Sequence, residues 1–275
     1  MSHTPHKSPI ANLEEKNILD LLKQDKRIDG RGLTEYRELR IEPNIIEKAN
    51  GSARVTLGKT QVIAGVKVET GEPFPDTPNE GALAVNAELA PIAHPSFESG
   101  PPGEAAIELA RVVDRSIRES NAIDREKLCI ESGKKVFVVF IDLNIMDHDG
   151  NLIDASTLAA LVALLSSKIN EYELKDGEII YKSEQKPLPV SDCPIAITFA
   201  KLGEILVLDP CLREEAVMKS RLTVGVNEKG SICAMQKGGL GEFNIDEIKK
   251  ATKLATEKSP EIRKKISEVI KNAKN

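Results

Sequence analysis

Residues 51–69, GSARVTLGKTQVIAGVKVE, decide the fold class. Apolar and polar side chains alternate on both sides of Leu57-Gly58-Lys59-Thr60, the pattern of two strands joined by a tight turn. The pattern returns at residues 194–209, PIAITFAKLGEILVLD, where Ala200-Lys201-Leu202-Gly203 echoes Val55-Thr56-Leu57-Gly58. A further hairpin is predicted in RLTVGVNEKGSICAMQK (221–237), turning at Asn227 to Gly230. Each strand-rich stretch is followed by helical periodicity. The expectation is an α+β fold of two β-α-β-α-like halves in one compact unit, with the faint echo of a duplication.

Outward from the first hairpin, strands are expected through Tyr36 to Pro91, including one at Leu83–Leu89. A helix is expected at Glu104–Ser120, a buried strand at Val136–Ile145, and an Ala/Leu-rich helix from about Asp154 to Lys168. Residues 1–12 read as disordered, with a short amphipathic helix at 13–24. The C-terminal periodicity (Ile245, Ile248, Leu254, Ile262, Ile266, Ile270) is interrupted at Pro260, which predicts more than one helix there. The division is an N-terminal extension over 1–26, a first half over 27–170, a connecting segment over 171–192 rich in charge and Pro, and a second half over 193–275.

Composition narrows the function classes. With no Trp and 3% aromatics, the core must rest on Val, Ile, Leu and Ala. The four cysteines form no C-x-x-C pair and His is scarce, so no zinc site and no redox motif is readable. Three of them (Cys129, Cys193, Cys233) lie in apolar stretches, where free buried thiols are the common state. No stretch reaches the ~18 apolar residues of a membrane span, and the N-terminus has no apolar core of a secretory signal, so a cytoplasmic protein without membrane contact is expected. The formal charge of −5 argues against an autonomous nucleic-acid binder. Any such role must lie in a local basic patch or in a surface shared with a partner.

The helix at 104–120 carries such a patch. Ala105, Leu109, Val112, Val113 and Ser116 share one side, and Arg111, Arg115 and Arg118 stand at i, i+4 and i+7 on the other. Two readings fit. A stripe of guanidinium groups suits the phosphates of a passing RNA strand. On pattern alone the favoured reading is the other: Glu108–Arg111, Asp114–Arg118 and Arg115–Glu119 can pair within the helix as a solvated face.

Several segments together resemble the RNase PH superfamily. These are Arg27-Ile28-Asp29-Gly30-Arg31, Tyr36-Arg37, Gly51-Ser52-Ala53 and Gly58-Lys59-Thr60-Gln61-Val62, with Leu208-Asp209-Pro210, Glu214-Glu215 and Gln236-Lys237 in the second half. The run from Ala106 to Arg118 resembles the helix of the non-catalytic RNase PH-like subunit of the archaeal exosome core. The resemblance covers about residues 25–258. It implies the RNase PH fold and a hexameric ring, a trimer of heterodimers, in which this subunit alternates with a catalytic RNase PH-like partner. It also implies RNA-binding cap proteins, and single-stranded RNA degraded from the 3′ end by phosphorolysis. Arg111, Arg115 and Arg118 become the expected RNA-binding residues.

No catalytic residue, metal or cofactor is expected in this chain. Active family members resemble Gly-Ser-Arg at the turn that cradles inorganic phosphate. Here the turn reads Asp149-Gly150-Asn151-Leu152: Leu152 offers no charge and Asp149 repels an anion. The acid that active members carry further on falls at or beside Arg221, and a cation neither acts as a general acid in the neutral range nor ligates Mg²⁺. Asp209, Glu214 and Glu215 are then read as capping or solvated residues. Asp147-His148-Asp149 lacks further metal ligands, and Lys237-Gly238-Gly239-Leu240-Gly241 lacks phosphate-loop spacing and reads as a loose strand end. Two rival readings remain: an active phosphorolytic 3′-to-5′ exoribonuclease with a divergent site, and a purely structural ring subunit that never touches RNA.

Overall fold

The computed structural model describes residues 9–175 and 178–273; residues 1–8 lie outside it, so the disorder expected there is not addressed. Residues 9–12 are helical, however, because the first helix, α1, runs Pro9–Leu22. Its Ile18 and Leu22 are fully buried against Ala200, Leu202, Val207 and Val217. The helix is therefore packed on the second half of the chain.

The first sheet holds β1 (Leu39–Pro43), β2 (Gly51–Leu57), β3 (Thr60–Gly71) and β4 (Ala82–Leu89). After β4 the chain forms helix α2 (Glu104–Glu119), then returns to the sheet as β5 (Cys129–Glu131) and β6 (Lys135–Asp147). Spatial order is β1-β2-β3-β6-β4, with β5 beside β6. β4 and β6 are parallel, and a parallel pair needs a long crossover. Helix α2 is that crossover, which fixes one of its faces on the sheet and leaves the other outward.

Helix α3 (Leu152–Ser166) follows, then β7 (Lys168–Lys175) and β8 (Glu178–Pro187), which pair only with each other. The expected helix to Lys168 stops earlier because the Ser166 and Ser167 hydroxyls both donate to the Ala163 carbonyl, at 3.0 and 2.8 Å, and Ser167 is extended. Such side-chain bonds compete with continued helix. The second sheet contains β9 (Ile195–Leu202) and β10 (Ile205–Leu208), then, after the short helix α4 (Leu212–Val217), β11 (Ser220–Val226) and β12 (Ile232–Gly239). Its order is β10-β9-β11-β12. Two of the three predicted hairpin turns match in kind: Gly58 and Gly203 both sit at φ near +60°, each closing a two-residue loop.

Helix α3 lies between the sheets and is buried continuously from Ile153 to Leu164, so it shows no polar stripe. Leu158, Leu161 and Leu164 contribute about 1.5–3 kcal/mol each by burial. The C-terminal helix α5 (Ile245–Asn272) is one helix, correcting the interruption expected at Pro260. Proline leaves the Thr256 carbonyl without its amide donor, and the Ser259 hydroxyl donates to that carbonyl instead, at 3.3 Å. Ala251, Ala255, Ile262 and Ile266 then hold both segments on the core.

Candidate nucleic-acid interface

The opening motif forms a clamp between the halves. Arg27 is 2% exposed and holds Glu214 by two bonds, Nε to Oε1 at 2.9 Å and Nη2 to Oε2 at 2.5 Å. It also donates to the carbonyls of Leu208 and Asp209, at 2.7 and 2.8 Å. Arg37 grips Asp209 through Nε, Nη2 and its own backbone N–H at 2.8–2.9 Å, and Arg31 adds a third guanidinium at 2.9 Å. Burial alone would raise the Asp209 carboxyl, but Arg37, helped by the Asn151 amide, holds it below its usual range.

Asp209 and Glu214 are thus fully buried, which corrects their reading as solvated. Capping is right for Glu214, whose Oε2 accepts from the Cys211 N–H at 2.9 Å at the start of α4. In the sequence Arg27, Arg31 and Arg37 stand out only as a motif, because their partners lie more than 170 residues away.

The turn Asp149-Gly150-Asn151-Leu152 is bound by groups of the chain itself. Arg37 donates to the carbonyls of Asp149 and Gly150, at 2.6 and 3.2 Å, and the Thr60 hydroxyl donates to that of Gly150 at 2.7 Å. Asn151, left-handed at φ +52°, stands at the N-cap position of α3 without a side-chain capping bond, and its backbone N–H donates to Glu215 Oε1 at 2.8 Å. The Glu215 carboxylate sits where an anion would be attracted by the helix end. Loss of water around this half-buried carboxyl pushes its pKa up to about 7, against the pull of Arg221 and Arg37.

Below it, the Asn151 amide donates to Asp154 and Asp209, at 2.9 and 2.7 Å. Asp154 is fully buried, with its pKa raised to about 6, and accepts also from the Tyr36 hydroxyl and from Thr198. These acids are spoken for by hydrogen bonds within the fold.

Arg221 lies on β11 and pairs with Glu108 of α2 through Nη2 at 2.6 Å. Among the described residues no group of three or more His, Cys, Asp or Glu side chains is placed to hold a metal ion. His148 instead stacks on Phe97 at 5.4 Å and accepts the Gly150 N–H at 3.3 Å; burial lowers its pKa to about 4. No described helix is long and apolar enough to cross a membrane. The four cysteines are free, Cys193 and Cys211 buried, and burial raises their thiols to about 12 and 11.

On α2 the buried side is Ala106, Leu109, Ala110, Val112, Val113, Ser116 and Ile117; Ala105, expected there, is exposed. The small side chain at 106 faces the sheet one position later. Arg111 and Arg115 are exposed on the outer face, with Arg115 donating to Gln236 of β12 at 3.3 Å. Arg118 is more constrained: Nε and Nη2 bond Asp114 at 3.0 and 2.6 Å, and Nη2 also donates to the Leu83 carbonyl at 3.0 Å. All three arginines line one cleft of about 490 Å³ between α2 and β4. Of the three intrahelical pairs that the spacing allows, Asp114–Arg118 forms.

Comparison with known proteins fits this arrangement. Residues 35–170 match domain 1 of the 3′ exoribonuclease family, RNase PH, and residues 192–258 match its domain 2. The exosome complex component Rrp42 of Pyrococcus horikoshii is 53% identical over 266 residues, covering 96% of this chain and 97% of that protein. Its counterpart in Methanothermobacter thermautotrophicus is 52% identical over 254 residues, covering 92% and 94%. A chain in the structure of the Archaeoglobus fulgidus exosome with RNA bound to the active site aligns with a TM-score of 0.87 and 43% identity, covering 94% of this chain and 99% of that one. With both domains matched in order and about half of the residues shared along nearly the whole length, the chain belongs to the RNase PH-type 3′ exoribonuclease family, among the relatives of archaeal exosome Rrp42.

Proposed function

We propose that this chain is the non-catalytic subunit of an archaeal-type exosome ring. It alternates with a catalytic RNase PH-like partner, helps shape that partner's active site, and lends Arg111, Arg115 and Arg118 to the path of single-stranded RNA during 3′-to-5′ phosphorolysis. RNA-binding cap proteins complete the assembly. The ring, the caps and the RNA path rest on likeness to the archaeal exosome relatives.

The observation that carries the silence is the Glu215 carboxylate bonded to the Asn151 N–H at the head of α3. This side chain takes the N–H that a phosphate oxygen would need and repels the anion as it ionises around pH 7, and Leu152 beside it supplies no compensating cation. The position expected to carry an acid holds Arg221, itself paired with Glu108. The RNA path is supported by two exposed guanidiniums one turn apart, bordered by a cleft, on a chain that is otherwise acidic.

The test is phosphate-dependent shortening of a 5′-labelled oligoribonucleotide with a free 3′ end. The purified chain should leave it intact, and the chain mixed with its catalytic partner should degrade it. Robust phosphorolysis by the chain alone overturns the proposal in favour of an active enzyme.

A further inference from the structure

Arg111 is exposed on α2 and, among the described residues, has neither an ion pair nor a side-chain hydrogen bond. That freedom is unexpected from local sequence. Acids stand one turn away on both sides, Glu108 at i−3 and Asp114 at i+3, and such spacings bring side chains together. Both acids are engaged elsewhere. Asp114 is held by Arg118 through two bonds of 3.0 and 2.6 Å. Glu108 is held from outside the helix by Arg221, at 2.6 Å.

The route of Arg221 to Glu108 is built into the second sheet. Arg221 is the cross-strand partner of Gly238 on β12, and its guanidinium lies over that glycine. A Cβ at position 238 would stand 3.0 Å from Arg221 Nε and 3.1 Å from Cζ, tighter than ordinary packing allows. The side chain is only 22% exposed, so the pair with Glu108 is shielded on one side and less screened than a surface bridge. Glu108, Arg111, Arg115 and Gln236 share a second cleft of about 350 Å³ between α2 and β12.

We infer that Arg221, by drawing Glu108 away from the arginines of α2, keeps Arg111 free to meet an RNA phosphate and so acts as a positioning residue for the RNA path. The inference rests on the RNA-path reading proposed for Arg111. It gives the cation at the lost acidic position a task, beyond the failure to be an acid.

The test measures the affinity of the full chain, assembled with its catalytic partner, for a fluorescein-labelled oligouridylate at low salt. Arg221→Gln should weaken binding about two-fold, the size of one recovered intrahelical pair. That loss should vanish when Glu108→Gln is present as well, since no acid remains to capture Arg111. It should also vanish in an Arg111→Gln background. A loss that persists in either background overturns the inference, because Arg221 would then act on RNA directly or through its charge alone. No loss in Arg221→Gln, with Arg111→Gln still weakening binding, overturns it while leaving the RNA path standing. If Arg111→Gln itself binds as tightly as the native chain, the RNA-path reading fails and the inference falls with it.

Discussion

The Glu215 carboxylate accepts the backbone N–H of Asn151 at 2.8 Å, and so the chain places its own anion at the head of α3. An internal carboxylate at a helix N-terminus gains from the helix dipole, but here it is also stripped of water. The desolvation wins: the carboxyl titrates near 7 when folded, above its ordinary 4.5.

This sets a pH dependence. A carboxyl with a raised folded pKa favours the folded state below the unfolded pKa, and that contribution is lost as pH rises through about 7. Glu215→Gln keeps an oxygen for the Asn151 N–H and removes the charge. The variant's melting temperature relative to the native chain should therefore climb between pH 5 and pH 8. A difference that is flat across that range would show that the raised pKa has no part in stability.

Breaking the clamp between the halves should be costly. Arg27→Met strands the Glu214 carboxylate in the interior, at an expected loss of about 3–5 kcal/mol in denaturant unfolding. The double variant Arg27→Met/Glu214→Leu should recover much of it, because no buried charge is left alone. If the double variant is as unstable as the sum of the singles, the pair is not the source of the cost.

The arginine stripe should reveal itself in salt dependence. For the assembled complex on single-stranded RNA, the slope of log affinity against log salt should fall by about 0.7 for each phosphate no longer neutralised. Arg111→Ala and Arg115→Ala should each show this fall. Arg118→Ala should shift the slope less and reduce stability by about 1 kcal/mol, since its guanidinium is committed to Asp114 and Leu83. Equal slopes in all variants would leave a purely structural subunit.

Pro260 offers a simple gain. Within a helix interior proline costs up to about 3 kcal/mol. Pro260→Ala restores the amide donor to the Thr256 carbonyl and should raise the melting temperature by a few degrees. A lower melting temperature would mean that the local shape imposed by proline is needed to seat Ile262 and Ile266 on the core.

Periodicity is sufficient where local chemistry alone sets the backbone. The turns at Gly58 and Gly203, the strand around Val139 and Ile141, and the helix bearing Arg111 and Arg115 are all legible, because spacing and turn residues act over a few positions. Helix ends are less so: Ser167 ends α3 through a hydroxyl bond, and Ser259 keeps α5 continuous past Pro260.

Residue types in sequence also carry the proposed silence, with Leu152 and Arg221 standing where the family resemblance leads one to expect an arginine and an acid. What occupies that space is decided only by tertiary structure. Asp209 and Glu214 look like surface acids in the sequence because their cations come from the first half of the chain, at Arg27, Arg31 and Arg37. Glu215 becomes the anion at the head of α3 only when α4 folds against the turn after β6. Arg111 likewise owes its freedom to Arg221, a residue 110 positions away, brought to Glu108 by the packing of α2 beside the second sheet. Sequence spacing sets which charges can meet within one turn of helix. The fold brings in charges from elsewhere and so settles which pairs form.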